Sequence, residues 1–118
     1  MYKLIILIQP EIDQDIFFEG WPKFLEHAEQ MPGLERIVTA PVHARLAGKY
    51  EPLMVHELVF DSQQAFESAL ASEHGVAAGK VLQQITGGAV TLLTAAHLED
   101  SGENLRRMRA RTNLEKKG

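Results

Sequence analysis

The chain has 118 residues, 45% of them hydrophobic and 24% charged, which is enough for one domain with its own core and too few for two. It contains no cysteine, so disulfides, thiol nucleophiles and thiolate metal sites are excluded. The net charge of −4 is unevenly spread: residues 105–118 hold six cations against Glu115, a net of +5 that leaves −9 on residues 1–104. An acidic body lacks the basic face that nucleic acid needs, so no nucleic-acid partner is expected.

The first element is a buried strand from Tyr2 to Gln9, closed by Pro10. Its apolar run, Leu4 to Ile8, is too short for a membrane span or a signal-peptide core, so the expectation is a cytoplasmic protein with no membrane partner. Ile16, Phe17, Trp21, Phe24, Leu25 and Ala28 then recur at helical spacing behind the candidate caps Asp13 and Asp15. Gly20 and Pro22 predict a kink or restart in this helix, because an interior proline removes a hydrogen bond. Met31-Pro32-Gly33 ends it, and Leu34 to about His43 reads as a second strand. Pro41 places that strand at a sheet edge.

A loop from Ala44 to Pro52 leads to a third strand, Leu53 to Phe60, with Met54, His56, Leu58 and Phe60 on one face and Val55, Glu57 and Val59 on the other. Asp61 or Ser62 caps a second helix, with Gln64 placed to close a capping box from Asp61. Gly75 predicts a break, after which Val76 to Ile85 resumes the helix. Gly87-Gly88 turns into a fourth strand, Ala89 to about His97. The predicted fold is α+β, ferredoxin-like βαββαβ: a four-stranded antiparallel sheet with two helices on one face. The domain spans residues 1–98, and residues 99–118 form a charged tail that is either mobile or docked on a partner. Strands one, three and four are apolar on both faces, and two helices cover only one. The uncovered face predicts a homodimer.

Three stretches then carry a family resemblance: Met31-Pro32-Gly33-Leu34, the junction Glu57-Leu58-Val59-Phe60-Asp61-Ser62, and Ala71-Ser72-Glu73-His74-Gly75. With Tyr2 to Ile8 they resemble EthD-type members of the dimeric α/β barrel superfamily over about residues 1–97. The resemblance implies two ferredoxin-like subunits packed sheet to sheet around a small hydrophobic or aromatic compound, in a catabolic or biosynthetic pathway. Lys23-Phe24 and Gly79-Lys80 stand where many such proteins carry histidines and an aspartate.

Glu57 is the sharpest candidate for chemistry. Either it projects into an apolar interior as a general acid or base, or it is ion-paired to Arg36, Arg45 or Lys3. His56 is a core histidine bonded to a backbone group if its face packs on the helices, and the pocket residue if the faces are reversed. Tyr50, Trp21, Arg36 and Tyr2 are candidate ligand contacts, Tyr50 because its loop suits a pocket rim. The five histidines show no metal-ligand spacing, and no nucleotide-binding motif or nucleophile elbow occurs, so no metal or cofactor is expected. Two functions follow: a ligand-binding dimer without turnover, or a cofactor-independent isomerase, cyclase or monooxygenase using Glu57 or His56. A structural or regulatory dimer is a third.

Overall fold

The structure, a computed structural model, describes residues 1–99 together with Gly102, Arg106 and Arg109. Whether the tail docks or moves lies outside the described residues. Strands β1 (Tyr2–Ile8), β2 (Leu34–Pro41), β3 (Met54–Phe60) and β4 (Val90–Ala96) form one sheet in the order β2-β3-β1-β4. All of its pairings are antiparallel. Helices α1 (Gln14–Glu29), α2 (Gln63–Ala71) and α3 (Glu73–Thr86) complete the βαββαβ order, the second helix being split in two. β2 lies at an edge, as Pro41 requires, and ends at that residue rather than near His43.

Alternation along the strands sorts the side chains into two layers. Leu4, Ile6 and Ile8 of β1 and Met54, His56, Leu58 and Phe60 of β3 are buried on the side of Phe17, Trp21, Phe24 and Ala28 of α1 and Val81, Leu82 and Ile85 of α3. Side chains of this kind each contribute roughly 1.5–3 kcal/mol when fully buried. The opposite face carries Lys3, Ile5, Leu7, Val55, Glu57, Val59, Val38 and Leu93, and none of α1, α2 and α3 packs on it.

The helices depart from the expectations in three ways, each with a local cause. α1 runs unbroken through Gly20 and Pro22. Pro22 is on the exposed side, where the carbonyl it orphans meets water, and Gly20 is where α3 crosses: a Cβ there would collide with Ile85 Cγ2. The break in the second helical stretch falls at Ser72 rather than Gly75. Ser72 Oγ donates to the Ala69 carbonyl at 2.6 Å and accepts from Gly75 N at 3.1 Å, so one hydroxyl ends α2 and starts α3. Ser62, not Asp61, caps α2, accepting from Ala65 N at 3.1 Å. The residue three positions on is then Ala65, so no capping box forms. Gly33, at φ 78°, makes the left-handed turn into β2.

Two glycines of α3 should respond oppositely to alanine. A Cβ at Gly79 meets open space, so Gly79→Ala should raise the unfolding free energy by about 0.5–1 kcal/mol. At Gly75 the Cβ would strike the Ala69 carbonyl oxygen, and Gly75→Ala should lower it by about 1–3 kcal/mol. Urea denaturation of the two variants checks both signs.

Candidate functional site

The faces of β3 separate the two candidate chemical residues. His56 points into the helix layer and is fully buried. Its Nδ1 shares a 2.8 Å hydrogen bond with Thr39 Oγ1 on β2, a side-chain partner where a backbone one was expected. Its Nε2 is enclosed with no partner, at a cost of about 1–3 kcal/mol. The imidazole packs edge to face with the Trp21 and Phe24 rings, at centroid distances of 4.9 and 5.8 Å. Burial pushes its pKa from 6.5 down to about 4, against the smaller opposing pull of Glu57. His56 is therefore a neutral imidazole at pH 7.

Glu57 points the other way, onto the uncovered face. Its carboxylate receives the Lys3 ammonium at 2.9 Å, a diagonal pair across β1 and β3, both side chains about one-fifth exposed. At the end of the same face the chain after β4 turns across the sheet. His97 N donates to the Met1 carbonyl, and the Glu99 carboxylate meets both Arg36 (2.8 Å) and His97 (2.7 Å). The His97 hydrogen bond and then the Arg36 charge hold the Glu99 carboxyl below its usual pKa. The charged side chains of this face are thus matched internally: Lys3 with Glu57, Arg36 with Glu99. At the other end of the same face Gln9 donates to Thr91 Oγ1.

Two concavities lie elsewhere. The larger, about 450 Å³, is at the opposite end of the sheet and is lined by Gln9, Arg45, Lys49, Tyr50, Glu51 and Leu53 among others. Its lining mixes polar side chains with Val42, Leu53 and two prolines, and Arg45 is already engaged with the Lys49 carbonyl at 3.1 Å. The smaller, about 100 Å³, is an apolar groove between the helix layer and the sheet. Leu4, Ile6 and Leu58 form its floor, Phe24 of α1, Met31 just after it and Ala78 and Leu82 of α3 its walls, and Leu70, Gly79 and Leu92 its exposed mouth. An enclosed apolar cavity of about 150 Å³ holds benzene, so this groove, open on one side, suits an apolar body of about that size or less.

The candidate ligand contacts do not converge. Tyr50 lines the larger pocket. Trp21 is a core residue stacked on Phe24 at 4.9 Å, and Tyr2 packs on Phe66 at 5.2 Å. Arg36 lies on the uncovered face. None of these four lines the apolar groove, and neither Glu57 nor His56 does; Phe24, which lines it, is one ring away from His56. The groove residues were invisible as a set, since Leu92 and Gly79 acquire meaning only when β4 and α3 come together. Among the described residues no group of three or more His, Asp or Glu side chains could hold a metal ion, and no helix is long and apolar enough to cross a membrane.

No protein-family model matches the chain, and no curated protein matches it. Solved structures do. An ethyl tert-butyl ether D (EthD) family protein from Bacillus halodurans is similar at 23% identity and a TM-score of 0.73, over 83% of this chain and 99% of that one. A dimeric ferredoxin-like protein of unknown function from Jannaschia sp. is similar at 14% identity and a TM-score of 0.63, over 81% and 98%. SnoaB, a cofactor-independent oxygenase from Streptomyces nogalater, is similar at 13% identity and a TM-score of 0.63, over 86% and 96%. The ferredoxin-like fold that the EthD resemblance implied is the fold observed.

The burial of His56 fixes a pH dependence. Its folded pKa, about 4, lies below the unfolded 6.5, so the unfolded chain binds the proton first. Its stabilising contribution is complete above pH 6.5 and is lost as pH falls toward 4, on the order of 3 kcal/mol in all. In urea titrations across this window, His56→Leu should lose much less stability than the wild type.

Proposed function

We propose that the chain is a homodimer, joined through the uncovered sheet face, that binds a small hydrophobic or aromatic compound in the apolar groove of each subunit. The observation that carries the binding half is the groove itself: every side chain lining it is apolar, yet its mouth is open. A solvent-filled apolar groove is costly, and a ligand that displaces its water gains by the hydrophobic effect. The dimer half is supported by the chemistry of the other face. Ile5, Leu7, Val38, Val55 and Leu93 stand around charges already paired with each other, so covering this face desolvates few unmatched groups. The solved Jannaschia protein is described as dimeric. A role in a catabolic or biosynthetic pathway, in the cytoplasm, belongs to this reading.

A second reading makes the protein a cofactor-independent isomerase, cyclase or monooxygenase with His56 or Glu57 as acid or base. What favours it is His56 Nε2, neutral, unpartnered and separated from the groove by the Phe24 ring. The SnoaB structure is that of a cofactor-independent oxygenase on the same fold. A turnover that survives His56→Leu and Glu57→Gln alike would end this reading.

Trp21, the one tryptophan, stacks on the groove-lining Phe24 and so reports on occupancy. Benzene should change its fluorescence saturably in the wild type. In Gly79→Leu, whose side chain would fill the groove, the change should disappear; a change that persists places the ligand elsewhere. Analytical ultracentrifugation should find a dimer at micromolar concentration and a monomer for Leu93→Arg combined with Val38→Glu, and a wild-type monomer would refute the dimer.

A further inference from the structure

The larger concavity, at the end of the sheet where β1 stops and β3 starts, plays no part in the groove reading. Its base is fixed by the backbone: Leu53 N donates to the Ile8 carbonyl at 2.8 Å, and Val42 N to the Leu53 carbonyl at 3.1 Å. Gln9, also in the lining, is held by its 2.6 Å bond to Thr91 Oγ1. The connection between β2 and β3 supplies most of the remaining lining. Gly48, at φ 88°, makes the turn of that connection, and the Arg45 guanidinium fastens it by donating to the Lys49 carbonyl. Pro10 and Pro52, each with a fixed φ, stiffen the walls. The volume, about 450 Å³, falls within the roughly 300–1,000 Å³ of small-molecule sites.

Charge singles out the ligand class. Arg45 and Lys49 line the pocket, and so do Glu11 and Glu51, two cations against two anions. Among the described residues none of the four takes part in an ion pair. Arg45 uses an N–H on the Lys49 carbonyl, and the rest of its planar fork has the geometry of a carboxylate partner. A ligand charged with one sign would meet like charges as well as opposite ones, and an uncharged ligand would leave all four unmatched. A molecule that bears a carboxylate and an ammonium on one carbon matches both signs at once. Val42, Leu53 and Tyr50 line the same space, so such a molecule can bury an apolar or aromatic side chain there. Two carboxylates beside two cations make a poor cage for a metal ion, and no group of three candidate ligands occurs among the described residues.

We infer that this pocket is a second ligand site, distinct from the groove, and takes a free α-amino acid with an apolar or aromatic side chain. Arg45 and Lys49 hold the carboxylate, Glu11 and Glu51 the ammonium group, and Val42, Leu53 and Tyr50 the side chain. The paired charges select the zwitterion, and the apolar part of the lining selects among amino acids.

The test titrates the full chain with L-phenylalanine, 3-phenylpropanoate and 2-phenylethylamine, followed by chemical shifts so that weak binding is readable. The three share a ring and a short stem and differ in the charges they carry. An exposed ion pair gives a factor of about two to five, and each analogue also faces like charges without an opposite group beside it. L-Phenylalanine should therefore bind about tenfold more tightly than either analogue. Its affinity should fall about tenfold in the double variant Arg45→Ala, Lys49→Ala, and as much in Glu11→Ala, Glu51→Ala. All four side chains are exposed, so both variants should fold. Gly79→Leu, which fills the groove, should leave the affinity unchanged. An analogue that binds as tightly as the amino acid, or a double variant that binds it as well as the wild type, overturns the site. So does binding lost in Gly79→Leu, which would put the phenyl ring in the groove. Absence of L-phenylalanine binding overturns the site too, while the benzene titration at Trp21 decides the groove separately.

Discussion

Strand alternation in a four-stranded sheet divides the side chains of β1 and β3 between two faces, and both faces are apolar. Three helical segments on one side bury Leu4, Ile6, Ile8, Leu58 and Phe60. They leave Ile5, Leu7, Val55 and Leu93 on the other face, which none of the three helical segments covers and which the segment ending in Glu99 reaches at one end. Everything functional follows from that division. The face under the helices holds His56 and the groove, while the other face holds the paired charges and the surface proposed for a second copy.

The helix layer rests on one close approach. α1 and α3 cross where Gly20 leaves room for Ile85, and a larger residue there would force them apart. Ser72 reorients the chain between α2 and α3, so that the wall Gly75–Ala78–Gly79 faces the sheet margin. β4, an edge strand, extends past this wall, and Leu92, on its helix side, is 52% exposed. The groove is thus the gap between a helix drawn toward α1 and a strand that lies beyond its reach. A polar floor there would be stabilised by water; an apolar one gains most from a ligand.

The two carboxylate and imidazole candidates of β3 illustrate how far local pattern reaches. Adjacent residues in a strand must point to opposite faces, so His56 and Glu57 could never share a site, and that much is legible in Met54 to Phe60. Which face meets the helices was not legible, because Val55 and Val59 are as apolar as Leu58 and Phe60. The partner of His56 is Thr39, seventeen residues away, and that of Glu57 is Lys3, on a strand brought alongside only by the fold. Four ligand candidates, Tyr50, Trp21, Arg36 and Tyr2, have the right residue types, but they lie in four separate surroundings.

Periodicity, turn residues and proline position alone determined the element order, the edge placement of β2 and the apolar character of both sheet faces. These are local properties, set by which residues repeat every two or every three to four positions. Tertiary structure decided the continuity of α1 through Pro22, the shift of the helix break to Ser72, the sidedness of His56 and Glu57, and the existence of the groove. Each of these depends on which distant element comes to lie alongside, a relation set by packing and hydrogen bonding across the fold rather than by spacing along the chain.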